Sequence, residues 1–266
     1  MIGLGLGATH ASPLEQAAAA PAFDTKAFSF DGVSTILAAP ASVDIFNGSG
    51  GSISFWIKGE SGLDNKTFIA KYPTSGGATD NYLFGFVNIS GSVLPVFSFK
   101  SSSGNGQFFA NAITGLGSGY HHFIISIDDS STTNFINNTR IYKNGSNAGK
   151  YLGGLLNSAG STDLDNSGGL FFGRSSNIAN VAIGEINEIA FFDTALTEDH
   201  AIAIYNAGVP FDLTSNNGDY DASSNLQLYL RGEESPIGEA GTGFAFTDST
   251  GNHSILGGNS IIDSTL

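Results

Sequence analysis

Hydrolysis of a glycosidic bond needs two carboxyl groups facing one cleft. On a β-strand that demands even spacing, because successive side chains point to opposite faces. The nearest candidate here is Glu185-Ile186-Asn187-Glu188, whose two glutamates stand three apart. Simple alternation therefore predicts that they diverge, as solvent-facing carboxylates of an ordinary strand. His121 and His122 are adjacent, so on a strand they diverge too and cannot hold one metal together. His10, His200 and His253 are scattered along the chain, and all five histidines read as structural rather than as zinc ligands or triad members. The sequence carries no nucleophile elbow, phosphate-cradling glycine loop, EF-hand spacing or helical histidine pair. Cysteine is absent, which excludes a disulfide framework, thiol catalysis and thiolate-bound zinc. Several Asn-x-Ser/Thr triplets occur, Asn88-Ile89-Ser90 among them, but a chain rich in Asn and Ser generates these by chance. No catalytic residue is expected.

The composition narrows the partners. Of 266 residues, 41% are hydrophobic and only 13% charged, so solubility rests on Ser, Asn, Thr and Gly. With 10 basic against 24 acidic residues the formal net charge is −14, which repels phosphate backbones and anionic lipid. Neither nucleic acid nor a membrane surface is an expected partner. No stretch approaches the roughly 18 apolar residues of a membrane span.

From Lys26 onward the hydrophobic period is two. Ser52 to Ile57 places Ile53, Phe55 and Ile57 on one face; Tyr82 to Ile89, Val93 to Phe99 and Tyr120 to Ile127 are further strands rich in aromatic and β-branched residues. Arg140 to Lys143 runs into Asn144-Gly145, the favoured two-residue hairpin turn. Leu170 to Gly173, Ile186 to Phe192 and Leu226 to Leu230 follow. Many short strands divided by polar turns predict an all-β, two-sheet antiparallel jelly-roll sandwich, with the 21 phenylalanines as the core between its sheets. One short helix stands apart. Thr197 is its N-cap, Glu198 and Asp199 lie in its first turn, Gly208 stops it, and Ala201, Ile204 and Tyr205 share a face that packs on the sheet.

The two ends read differently. Residues 1–25 hold no Lys or Arg, and Glu15 breaks the apolar run, so the pattern does not fit an export signal. We read them as an arm that docks onto a partner or a sister subunit. Leu213 to Ser224, LTSNNGDYDASS, reads as a linker. The division is thus a docking arm (1–25), a body (26–213), and a linker with a C-terminal strand extension (214–266), the last packing on its own body or on a neighbour.

Phe28-Ser29-Phe30-Asp31-Gly32, Ser52 to Lys58 (SISFWIK), Tyr120 to Ile124 (YHHFI), Ile141 to Gly145 (IYKNG), Gly184 to Phe191 (GEINEIAF) and the Thr194 to Gly208 segment occur in an order that resembles the laminin-G-like jelly roll of the concanavalin A-like lectin/glucanase superfamily. The resemblance covers about residues 26–213. The superfamily's β-glucanases carry two catalytic glutamates around a central aspartate; here Asn187 replaces that aspartate, which again argues against a hydrolase. A structural calcium on the early strand and the late acidic strand is implied at Asp31, the Gly32 carbonyl and Asn187, weakened by the missing charge of the asparagine. No other cofactor is expected. Glycan binding, the usual role of such sandwiches, would use an aromatic platform with hydrogen-bonding loops, for which Tyr72, Asp80, Asn81, Tyr82, Phe108 and Phe109 are the candidates. The MIGLGLG opening and the tail NLQLYLRGEE…DSTGNHS resemble such proteins of tailed bacteriophages. The resemblance implies a non-enzymatic virion surface protein, a capsid decoration or part of a tail fibre, attached to other virion proteins or sister subunits through residues 1–25 and 214–266 and touching surface glycans. A bacterial extracellular lectin or adhesin is the alternative, and a polysaccharide hydrolase or lyase the third reading.

Overall fold

The computed structural model describes residues 27–33, 36–46, 50–59, 62–72, 81–89, 92–101, 104–110, 119–128, 138–153, 168–174, 180–232, 244–258 and 261–263. The expected docking arm, residues 1–25, lies outside them. Two antiparallel sheets face each other. The first runs β10 (Ser146–Asn147), β9 (Thr139–Lys143), β8 (His121–Ile127), β3 (Gly51–Gly59), β13 (Ile183–Phe192), β1 (Ala27–Asp31) and β17 (Ile261–Asp263), with β14 (Leu226–Leu230) also paired to β13. The second runs β11 (Lys150–Gly153), β7 (Gly104–Ala110), β6 (Ser92–Ser101), β5 (Asn81–Ile89), β4 (Thr67–Tyr72), β12 (Gly169–Phe172), β2 (Ile36–Ala39), β16 (Ser254–Gly258) and β15 (Phe244–Thr247). This is the jelly-roll sandwich that the period-two pattern predicts.

The inward positions are those that alternation selects. Ile53, Phe55 and Ile57 are wholly buried between the sheets, with Phe123 on the neighbouring strand and Phe84 from the opposite sheet against the Phe55 ring. Burying one such aromatic contributes about 2–3 kcal/mol from its area alone. Asn144 and Gly145 both take positive φ, 50° and 74°, as the tight β9–β10 hairpin requires.

The outward face of the first sheet is covered as well. Helix α1 (Glu198–Tyr205) and residues 209–231 bury a second cluster that includes Ile124, Tyr142, Phe192, Ile204, Leu213, Tyr220 and Tyr229. Some phenylalanines therefore serve this outer layer and not the inter-sheet core. Thr197 Oγ1 accepts from the His200 backbone N–H at 3.3 Å, and His200 Nδ1 accepts from the Thr197 N–H at 3.1 Å, a capping box with an imidazole in the usual place of Glu. The helix stops before Gly208. Asn206 takes the left-handed conformation (φ 44°) as its C-cap, and Gly208 ends the 3-10 turn that follows. The segment expected as a linker is a packed element: Leu213, Tyr220 and Ala222 are buried, and the Tyr220 hydroxyl donates to the Leu213 carbonyl at 2.7 Å.

The C-terminal strands divide between the two sheets. β15 and β16 extend the second beyond β2, while β17 pairs with β1, Asp263 opposite Ala27. Asp248, at the turn after β15, ties these pieces together. Its carboxylate accepts backbone N–H bonds from Tyr229, Thr250, Asn252 and His253, and the Ser249 N–H donates to the Tyr229 carbonyl.

Candidate functional site

Strand β13 departs from simple alternation. Its pairing to β3 runs Asn187 opposite Trp56 and then Ala190 opposite Ser54, so β13 carries one extra residue. Glu188 sits in this bulge with φ 49°. Before the bulge Ile186 faces the core, and after it Ile189 and Phe191 do. The expectation that Glu185 and Glu188 diverge is therefore corrected: the bulge returns Glu188 to the outward face that Glu185 and Asn187 occupy. Nor are both glutamates solvent-facing. Glu188 is 2% exposed, its Oε2 accepts from the Tyr229 hydroxyl, and its Oε1 lies 3.5 Å from Arg231 Nε. Burial, and after it the Glu188 carboxylate, push the Tyr229 phenol far above its ordinary range, so it remains the donor. Glu185 is held by the Tyr120 hydroxyl and, at 3.4 Å, by Lys58. Each carboxylate thus has its own partners.

The residues implied for calcium do not converge. Asp31 stands opposite Ile183 in the β1–β13 register, and Asn187 lies four residues further along, about 13 Å at strand rise. Calcium ligands sit roughly 2.3–2.6 Å from the ion, so the two side chains cannot share one. Asp31 Oδ1 instead accepts from the Val33 N–H at 2.8 Å in a local turn, and Asn187 Oδ1 accepts from the Glu188 N–H at 2.7 Å. These residues do not fit the ion.

Of the residues expected to form a glycan platform, the structure describes one side chain. Tyr82 is wholly buried, its ring edge-on to Phe46 at 5.1 Å and tilted against Phe97, so it offers no face to a sugar. Burial and the Asp44 carboxylate push its phenol well up. Asp80 lies outside the described residues. Tyr72, Asn81, Phe108 and Phe109 are placed by backbone register alone, Tyr72 opposite Gly169, Asn81 opposite Lys100, Phe108 opposite Phe97 and Phe109 opposite Val96.

Of the adjacent histidines, His122 lies on the outward face. Its Nε2 is 2.9 Å from Ser54 Oγ, and its ring packs beside Trp56 and Tyr205, which also stack on each other. Burial lowers its pKa to about 3, so it is neutral. Among the described residues no group of three or more His, Asp or Glu side chains is placed to hold a metal ion.

A cleft opens at the other end of this outward face. Ser126 and Asp128, from and just beyond β8, and Asn138, Arg140 and Tyr142, before and along β9, form its floor. Residues 194–198, leading into α1, form its wall. Its volume is about 470 Å³, within the range of small-ligand sites. Two buried serines fix the wall. Ser52 Oγ donates to the Thr194 carbonyl and accepts from the Leu196 N–H, and Ser126 Oγ donates to the Leu196 carbonyl, each at 2.8 Å. Tyr142 feels two of the cleft's charges: burial pushes its phenol up, Arg140 draws it down and Glu198 pushes it up again. The sequence reading passed over these residues. Their signal is the polar outward positions of β8 and β9 (Ser126 and Asp128, Asn138 and Arg140) where neighbouring outward positions are apolar.

The family model of the Concanavalin A-like lectin/glucanases superfamily matches residues 31–201. The chain belongs to this superfamily. No match was found among curated proteins. Among solved structures this lectin/glucanase-type jelly roll is similar to a candidate carbohydrate-binding protein from Bacteroides ovatus, with a TM-score of 0.59 and 19% identity over 91% of this chain. The chain spans 60% of the length of that protein. A native heptameric SAP-like pentraxin from Limulus polyphemus gives 0.52 and 15%, covering 89% of this chain and 95% of the pentraxin. The full-length tailspike protein 2 of an Escherichia coli O157:H7 bacteriophage gives 0.49 and 13%, covering 78% and 30%. At these identities the likeness is one of fold.

Proposed function

We propose that the chain is a non-catalytic, lectin-like surface protein of a bacteriophage particle whose jelly roll binds glycans in the Arg140–Tyr142 cleft. The observation that carries the binding reading is the cleft itself, a preformed polar site on a lectin-type sandwich. Its hydroxyls, amide and charged groups match the hydroxyl groups of a sugar, and its wall is already fixed by Ser52 and Ser126, so little ordering is left to pay on binding. The non-catalytic part rests on Glu185 and Glu188, each committed to its own Lys, Arg or Tyr partner. The particle location rests on the resemblance of the two ends of the chain to tailed-phage proteins. In that setting many copies would strengthen individually weak contacts.

A glycan array probed with the full chain tests the binding. We expect a bound class of glycan and at least about a tenfold loss with Arg140→Ala, whose side chain is exposed and whose removal leaves the core intact. Binding that survives Arg140→Ala unchanged removes the cleft from the reading. Mass spectrometry of purified phage particles tests the location: the chain is expected as a stoichiometric component, and its absence from particles favours a bacterial lectin. Light scattering of the full chain and of a version starting at Lys26 tests the arm, with assembly expected only when residues 1–25 are present.

A further inference from the structure

We infer that the cleft takes neutral glycans and turns away acidic ones, a refinement that rests on the glycan-binding reading above. Among the described residues, the charges lining it are one guanidinium, Arg140, against two carboxylates, Asp128 and Glu198. The cation that could recognise a uronate, sialate or sulfate is therefore already outnumbered inside the site. A ligand carboxylate entering there would meet Asp128 and Glu198 at short range, where screening is weakest. The field outside has the same sign, because the whole chain carries a net charge of −14 and slows the approach of any anion.

The remaining polar groups are suited to hydroxyls. Thr194, Thr197 and Tyr142 bring hydroxyl groups that both donate and accept, Asn138 brings an amide, and the two carboxylates accept. A neutral sugar presents the complementary set: hydroxyl donors for Asp128 and Glu198 and hydroxyl acceptors for Arg140. Charge-assisted bonds of this kind are the stronger ones, and here they form with no net charge brought in. Ser52 and Ser126 hold the 194–196 wall by hydrogen bonds, so the backbone that leads into Glu198 is held in place.

The experiment pairs neutral oligosaccharides with their uronic acid counterparts of the same linkage and length. Binding of both to the full chain is measured by calorimetry or on an array. The neutral member is expected to bind at least about tenfold more tightly, with less than about a twofold change between low and high salt. In the double variant Asp128→Asn, Glu198→Gln the ratio of acidic to neutral binding is expected to rise severalfold, whatever happens to affinity as a whole. An acidic counterpart that binds as well as the neutral one, or better, overturns this inference and leaves the glycan reading standing. No binding of any glycan overturns both. The salt dependence is read on the unaltered protein, so a variant that fails to fold does not blunt the test.

Discussion

The two faces of the β3–β8–β13 sheet are both buried, yet they are built by different rules. The inward face is apolar and aromatic, Phe28, Ile53, Phe55, Phe123, Ile186 and Phe191 among others, and it packs against an equally apolar opposite sheet. The outward face interleaves apolar residues with buried polar ones, Ser52, Ser54, His122, Ser126, Asn187 and Glu188. Each polar group there is tied to a neighbour on the sheet or to the 194–231 covering layer: Ser52 and Ser126 to residues 194–196, His122 to Ser54, Glu188 to Tyr229 and Arg231. An apolar face needs only volume and is indifferent to its partner's identity. A polar face needs named partners, because a buried donor or acceptor left alone costs about 1–3 kcal/mol.

The contrast can be broken most strongly on the inward side. Phe55→Ala is expected to cost about 3–5 kcal/mol in urea unfolding, through lost burial plus the cavity left between Phe84 and Phe123. On the outward side the largest effect should come from removing a partner. Arg231→Ala leaves Glu188 as a buried carboxylate without its cation and should cost about 3 kcal/mol. Adding Glu188→Gln should restore much of that loss, whereas no second polar change would rescue Phe55→Ala.

Acid should act strongly on the outward face, through His122. His122 has a pKa of about 3 in the fold against about 6.5 unfolded, so the unfolded chain takes the proton first. The stability that neutral His122 contributes is complete above pH 6.5 and drains away as pH falls towards 3. Between pH 7 and 5 the loss should be about 2 kcal/mol, and His122→Gln should flatten that part of the profile. The smallest effect belongs to the helix that covers this face: Thr197→Ala removes the hydroxyl half of the capping box and should lower stability by about 1 kcal/mol. A larger loss would mean that α1 secures the cleft wall more than the two serines do.

The same contrast explains what could be read from the sequence. Ile53, Phe55 and Ile57, the Asn144-Gly145 turn and the Thr197 cap declare themselves through period and local chemistry, and they placed the inward face and the helix correctly. The outward face resists because its logic is pairing across long separations. Ser52 and Leu196, or Glu188 and Arg231, carry no mark of one another in the chain. LTSNNGDYDASS has the composition of a linker, and the burial of its Leu213, Tyr220 and Ala222 shows otherwise. The Glu188 bulge was legible in one respect: the core positions Ile186, Ile189 and Phe191 are spaced three and then two, which an unbroken strand cannot place on one face. The cleft was hidden because its residues come from two strands and a helix entry, each ordinary alone.

The pairing of the first strand with the last has a consequence for how the protein is made. β1 lies between β13 and β17, so this early strand has no strand partner until residue 183 and lacks its second until residue 263. A sandwich with such distant pairings closes late in synthesis and should fold slowly. Until then its apolar strands stay exposed, and yield in a foreign host should depend more on growth temperature and chaperone supply than on the stability of the finished fold.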